Sequence, residues 1–393
     1  MEPKSPPSHS SSPSAQSRSI PVETEIITDA EMAFLDAALA SARPLLSSSI
    51  LPPSRFPLLP CSLPLALSSP PRHVTSLSCS SGSSSPVKDI EDADKSVRPK
   101  SLLERFRARR GLMVTDITSS EWCQKKTEFG LVKGKPKKTA AMEAGSNRHA
   151  ALEKEVVERV EIPTESLEEI WAVKFFNFIV GAKQLLLEGL TREVPVIGVF
   201  GGTWIVGVID EVRMPLNEAS LNPILVDIKT RYKATPPTEA QKRNARLQVM
   251  LYKYLWDGLA ASNFPTAYFY KHFKLDPHYI LSEDVKRYAA SLRFDVKTLE
   301  DVVTGFTDSC SFLCPSTDQL LLRYELQSDC SLLEEHWFRY DVCWLKDQME
   351  EILKFWSGGK EATYVSEAES WKCRFCEFND VCPITSSSSP EQR

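Results

Sequence analysis

The residues best suited to chemistry lie between Trp204 and Thr230. Two apolar stretches, IVGVIDEVRM and ILVDIKT, each carry an acid toward their end, Asp210 in the first and Asp227 in the second, with Lys229 two residues later. Residues i and i+2 of a strand point to one face, so Asp227 and Lys229 project together. If the two stretches pair, Asp210 reaches the same point. Two carboxylates and an ammonium converging on a sheet edge make a divalent-metal site beside a proton-transfer group, which is what phosphodiester hydrolysis requires. In that arrangement Asp210 and Asp227 hold Mg2+ or Mn2+. Lys229 orients or deprotonates the attacking water and offsets developing negative charge. Three charges at strand ends also occur without any chemistry. Asp227 weighs against that bland reading, because it interrupts an apolar run where a carboxylate is costly unless paired or metal-bound.

Helices must bring up the remaining groups. Helical spacing from about Asn147 sets His149 and Glu153 on one face, four residues apart. Imidazole suits Mn2+ better than Mg2+, which makes His149 a candidate additional ligand. After Pro236-Pro237 a long helix is expected from Thr238, carrying Arg243, Arg246, Gln248 and Tyr252. Gln248 and Tyr252 share a face, where an amide and a phenol can hold nucleic acid or position Lys229, with Arg246 in support. Residues 165–190 have a broad apolar helical face and read as core. Gly201-Gly202 signals a tight hairpin, and the nearly all-apolar run 222–229 suits a strand buried on both faces. Further helices are expected at 282–293, 295–306 and 331–357. Near the start of the body, Leu102, Leu103 and Phe106 form one face of a short helix. Arg105, Arg107, Arg109 and Arg110 form the other, solvated or set to meet phosphate. Thr115 is a candidate N-cap for a following helix that contains Trp122 and Cys123.

Ten cysteines among 393 residues are too few and too irregular for a disulfide framework. Cys373, Cys376 and Cys382, spaced C-x2-C-x5-C, are instead a strong metal signal. Zinc and a [4Fe–4S] cluster both need a fourth ligand, and none follows. Spacing alone cannot choose among Cys61, Cys79, Cys123, Cys310, Cys314, Cys330 and Cys343.

A net charge of −5 argues against a uniformly basic nucleic-acid protein but leaves local patches open. No run of 18 apolar residues occurs, and no membrane association is expected. Residues 1–95 are Ser- and Pro-rich and read as a disordered tail with a possible short helix at 28–43, capped by Thr28 and stopped by Pro44. Residues 386–393 read as a second disordered tail. No acid lies between Asp36 and Asp89, while Arg43, Arg55 and Arg72 do, a transit-peptide composition that points to a chloroplast or mitochondrion. Glu2, Glu23, Glu25 and Asp29 weigh against it and leave the nucleus as the alternative.

Together these motifs resemble a known family. Gly145-x3-His149-x3-Glu153, Asp210 in GVIDEV, Asp227-x-Lys229-Thr230 and Gln248-x3-Tyr252 stand in the order and approximate spacing of RecB-type nucleases of the PD-(D/E)xK superfamily. VTDITSSEWC at 114–123, EAQKRNARLQVMLYKYLWD at 239–257 and the terminal CRFCEFNDVC are similar to exonuclease V. The resemblance covers residues 100–385 and implies an α/β PD-(D/E)xK restriction-endonuclease-like core, a mixed central sheet flanked by helices, with a C-terminal Fe–S clasp. It also implies that Cys123 joins Cys373, Cys376 and Cys382 around [4Fe–4S], that His149, Asp210 and Asp227 bind the ion, and that Lys229 is catalytic. The implied activity is metal-dependent 5′ exonucleolysis of single-stranded DNA to short oligonucleotides, in DNA repair or genome maintenance, by a monomer with a single-strand DNA-binding protein as a candidate partner. Many relatives carry Glu where this chain has Asp227. A non-catalytic single-strand DNA-binding protein with a zinc or Fe–S site is the alternative, and an RNA nuclease a third reading.

Overall fold

The structure is a computed structural model that describes residues 20–26, 99–134, 139–156, 158–215 and 221–386. The helix expected at 28–43 and the tail 387–393 lie outside the described residues.

A six-stranded mixed sheet organises the body. The β-branched, aromatic runs on either side of Gly201-Gly202 form β4 (Leu190–Phe200) and β5 (Thr203–Arg213), an antiparallel hairpin. Both glycines have positive φ, 54° and 77°, the left-handed backbone that a two-residue turn between twisted strands requires. β6 (Ile224–Arg231) pairs antiparallel with only the last three residues of β5. β2 (Leu112–Met113) takes the other end of β5 in parallel. β7 (Gln319–Leu326) runs parallel to β6, and β8 (Leu332–Arg339) closes the sheet antiparallel to β7. β6 is therefore internal, and its Leu225, Val226, Asp227 and Ile228 are all buried.

Helices flank this sheet. The apolar run after Ser166 forms α5 (Leu167–Glu188), capped by the Ser166 hydroxyl and ended by Gly189 in the left-handed conformation. It is long and apolar enough to cross a membrane although it lacks an unbroken apolar run, and 67% of its most apolar window is buried inside this protein. It is the core helix. α6 (Glu239–Ala260) starts at a Thr238/Gln241 capping box. It lies close over the hairpin: a Cβ at Gly198 would come within 2.9 Å of Leu255, and one at Gly207 within 2.7 Å of Tyr252. Trp171, Trp204, Trp256 and Trp356 are fully buried in one apolar core.

Four shorter elements complete the frame. α1 (Leu102–Phe106) has a Ser101 capping box, and α2 (Val114–Trp122) and α3 (Gln124–Val132) meet at Cys123. α4 (Ala140–Lys154) starts at a Thr139 cap about two turns before the expected Asn147, because AAMEA is good helix sequence. Arg107 is not on a solvated face. It is 4% exposed, grips Asp116 through Nε and Nη2 at 2.6 Å each, and stacks over Trp356.

Elsewhere some elements differ from the sequence expectation in kind and others only in their bounds. Residues 331–357 are not one helix: 332–339 is the edge strand β8, alternately half-buried and exposed over most of its length, and only α10 (Val342–Trp356) is helical. The helices expected at 282–293 and 295–306 are Glu283–Ser291 and Leu299–Cys310. The stretch read as a disordered tail contains strand β1 (Ile20–Ile26), which pairs antiparallel with β3 (Glu158–Thr164). IPVETEI sets β-branched Ile20, Val22, Thr24 and Ile26 at every second position, with Pro21, Glu23 and Glu25 between them, a pattern that the Ser-rich surroundings mask.

Candidate active site

Strand register brings the acids together. The β5–β6 ladder pairs Glu211 with Val226, and one step further sets Asp210 opposite Asp227, where the ladder ends. There the Asp210 Oδ2 accepts the Ile228 backbone N–H at 2.8 Å, so the side chain takes the donor that the interrupted ladder leaves behind. The site thus lies inside the sheet, where two strands part, and not at an outer edge. On the other flank, β4 pairs Arg192 with Glu211 and Val194 with Ile209, which sets Glu193 opposite Asp210. Three carboxylates, Glu193, Asp210 and Asp227, therefore stand in a row across three strands. Glu193 has a left-handed backbone, φ 51°, which costs a non-glycine residue about 1–3 kcal/mol and persists only where its surroundings impose it.

α4 supplies His149 to this row. Its Nδ1 is 3.3 Å from Glu193 Oε1 and 3.9 Å from Asp210 Oδ1, and the ligand atoms of His149, Glu193 and Asp210 lie within 4.8 Å of one another. Asp227 is fully buried. Its Oδ1 accepts from Lys229 Nζ at 2.9 Å, and its Oδ2 has no hydrogen-bond partner. Lys229 also donates to Gln248 Oε1 at 3.0 Å, and Gln248 Nε2 donates to the Tyr252 hydroxyl at 3.0 Å. The i, i+4 spacing on α6 thus makes a relay that holds the lysine head over Asp227. A cleft of about 1000 Å3 exposes the site, lined by His149, Glu193, Asp210, Lys229, Gln248 and Tyr252 among others.

Crowded carboxylates dominate the electrostatics. Burial, then the neighbouring Asp227, push Asp210 up to about 7. The hydrogen bond to Glu193, with Asp210 and Asp227 nearby, pushes His149 up to about 9 against the opposing effect of burial. Burial acts to lower Lys229, but Asp227 and Asp210 outweigh it and hold the ammonium above its ordinary value. Burial and the same two acids raise the Tyr252 phenol. Excess negative charge with one orphaned buried oxygen is the condition that a divalent cation relieves, and hard oxygens with one imidazole fit Mg2+ or Mn2+.

Some distance away in sequence, four thiols share one hollow. Cys123, Cys373, Cys376 and Cys382 all line it, with Phe129 and Phe378 packed beside them. Cys123 caps the N-terminus of α3, its sulfur accepting the Lys126 N–H at 3.4 Å. Burial raises the Cys373 thiol, and so do the other three sulfurs, which makes four bare thiolates unfavourable together. Ion pairs fasten this end to α6. Arg243 binds Glu121 at 2.6 Å and Glu369 at 2.8 Å, Lys372 binds Glu369 at 2.6 Å, and Asn244 donates to the Thr118 carbonyl at 2.6 Å.

Comparison with known proteins covers the whole body. The family model described as Exonuclease V, a 5′ deoxyribonuclease, matches residues 101–224, 217–309 and 311–383. The chain belongs to the exonuclease V family. Exonuclease V of Danio rerio is 30% identical over 343 residues, covering 81% of this chain and 86% of its own. A shorter match, 30% over 74 residues, joins 19% of this chain to 12% of the mitochondrial exonuclease V of Candida dubliniensis.

Within this family member the sequence-selected residues divide. Asp210, Asp227, Lys229, His149, Gln248 and Tyr252 come together at one cleft. Glu153, one turn beyond His149, is buried and lines an adjoining cavity instead. Arg246 does not line the cleft; its charge acts on Tyr324 and His336, on β7 and β8. Glu193 was missed. REVPVIG offers only a charged residue in a strand, and its value depends on a register and a backbone reversal that composition does not encode.

Proposed function

We propose that this exonuclease V family member hydrolyses single-stranded DNA from the 5′ end in a metal-dependent reaction, on a PD-(D/E)xK-type core. The observation that carries the reading is the row of Glu193, Asp210 and Asp227 with Lys229 bound to its last member. The residues that would hold Mg2+ or Mn2+ are Asp210, Asp227 and His149, with Glu193 in reach. A divalent ion there would neutralise phosphate charge and make a water easier to deprotonate. Lys229 enters as an ammonium, so it donates to a phosphate oxygen and stabilises the charge that develops there. Gln248 and Tyr252 fix where that charge sits.

A second groove, about 410 Å3, shares Thr115, Lys229 and Thr230 with the cleft and leads past Arg231 and Asn244 to Trp122 and Lys126 beside the four thiols. Cations, hydroxyls and one indole along a narrow track suit a single strand better than a duplex. The four cysteines fit a soft-metal centre, and the family resemblance, not their spacing, favours [4Fe–4S] over zinc. Such a centre ties α2 and α3 to the chain's last helical turns. We place the activity in DNA repair or genome maintenance, with a single-strand DNA-binding protein as a candidate partner. The name of the Candida relative supports an organelle, with the nucleus as the alternative.

Iron-replete protein and Mg2+ with 5′- and 3′-labelled single strands test the reading together. Short labelled products from the 5′ end, a requirement for the metal and no cutting by Asp227→Ala or Lys229→Ala are expected. Equal cutting by both variants refutes the site, and a preference for matched RNA refutes the substrate. Visible absorption and iron content distinguish the cluster from zinc.

A further inference from the structure

Beside the metal cleft lies a second cavity, about 240 Å3, between α5, β4 and β5. The two hollows share Met113, Glu193, Gly207 and Val208, so the cavity adjoins the carboxylate row directly. Its walls include four aromatic rings, Trp171, Phe175, Phe178 and Phe306, together with Lys174 and Asn177. Two of these residues carry unmet polar groups. The Trp171 indole N–H and the Asn177 amide oxygen are both buried with no hydrogen-bond partner, although Trp171 is only 2% exposed. Lys174 stands 4.5 Å over the Trp171 ring, and burial lowers its pKa.

A buried indole N–H and a buried amide oxygen without a protein partner are groups that a bound molecule can satisfy. At about 240 Å3 the cavity is roomy enough for one planar ring system. A nucleobase presents ring faces to aromatic walls and both donors and acceptors at its edge. We propose that this cavity is a nucleobase subsite that takes one unstacked base of the single strand whose backbone lies at Lys229. This rests on the nuclease reading above and deepens it: one base is drawn out of the strand beside the carboxylate row, and its capture sets the register of the neighbouring phosphate.

An abasic scan tests the proposal. The full-length, iron-replete protein is titrated by fluorescence anisotropy, without divalent ion, against short single strands in which one abasic residue is walked from the 5′ end. Loss of affinity at a single position, roughly tenfold as base–aromatic contacts give, is expected. Trp171→Phe keeps the ring and removes the donor, and Lys174→Met removes the cation. In both the penalty at that position should shrink by about two- to fivefold, the share of one hydrogen bond or one cation–π contact, while melting temperature and binding of the strand abasic there stay as in wild type. A flat scan in the wild type overturns the subsite, and so does an unchanged penalty in both variants. Wild-type cleavage of the unmodified strand with Mg2+ is run in parallel. Cleavage with a flat scan refutes the subsite alone, whereas neither binding nor cleavage refutes the nuclease reading.

Discussion

The carboxylate cleft and the cysteine hollow solve opposite problems. In the cleft like charges are forced together: Glu193, Asp210 and Asp227 stand side by side, Glu193 takes a left-handed backbone, and one Asp227 oxygen is buried without a partner. Around the cysteines the charges are neutralised, with Arg243, Lys372 and Asn244 meeting Glu121, Glu369 and the Thr118 carbonyl. The cleft stores cost, whereas the charged groups around the clasp are paired. Substitutions in the first should therefore separate activity from stability, and those in the second should move both together.

The strongest test of that contrast is Asp227→Asn. Activity should fall at least about a thousandfold, as for loss of a main electrostatic group. Melting temperature should hold or rise, since the change removes one of three crowded charges. A large destabilisation would mean that the Lys229 ion pair, at 2.9 Å, is structural rather than poised for chemistry. Glu193→Gln comes next. Kinetics should show a loss of about 10–100-fold, the scale of one weakened metal contact. Calorimetric titration should show weaker Mn2+ binding, because His149 and Asp210 lose a neighbour within 4.8 Å.

Acidity gives a further division between the regions. His149 is pushed up to about 9 and Asp210 to about 7, so both hold protons that a cation must displace. Mn2+ affinity measured by calorimetry should rise from pH 6 to 9, with proton release that falls as each group loses its proton. His149→Gln should remove the upper part of that rise. An affinity independent of pH would place the cation elsewhere.

How much of this was readable beforehand follows the same division. Asp210, Asp227 and Lys229 could be found because strand alternation and one hairpin are local and periodic. The relay Lys229–Gln248–Tyr252 needed only an i, i+4 spacing on a well-capped helix. Glu193 could not be found, since its place in the row comes from cross-strand register and a positive φ. Nor could the choice of Cys123 come from spacing. It depends on α2 and α3 meeting beside a segment some 250 residues later, which only family resemblance supplied. β8 was missed because LLEEHWFR has strand alternation too short to stand out from the strong helix after it. Arg107 looked like part of a basic face because its partner, Asp116, sits across a turn, in the next helix.

The smallest expected effect probes how the clasp is tied to the site. Arg243 spans Glu121, two residues before Cys123, and Glu369, four before Cys373, from a helix that also carries Gln248. Arg243→Met keeps much of the side chain's length and removes the bridge. The loss should be on the order of 1 kcal/mol, since the guanidinium is about one-third exposed and such pairs are screened by solvent. Glu369 is held down to about 2, first by Arg243 and then, against burial, by Lys372. A depressed carboxylate contributes stability above its unfolded pKa of about 4.3, and that contribution is lost as pH falls through the folded value. Melting curves of wild type and variant should therefore differ most near neutral pH and converge between about pH 4 and 2. A gap that persists unchanged at pH 2 would assign the stabilisation to packing of the arginine stem. If iron content also falls in Arg243→Met while the cleft's Mn2+ affinity is unchanged, the clasp serves the fold more than the chemistry; if both fall, α6 couples the two regions.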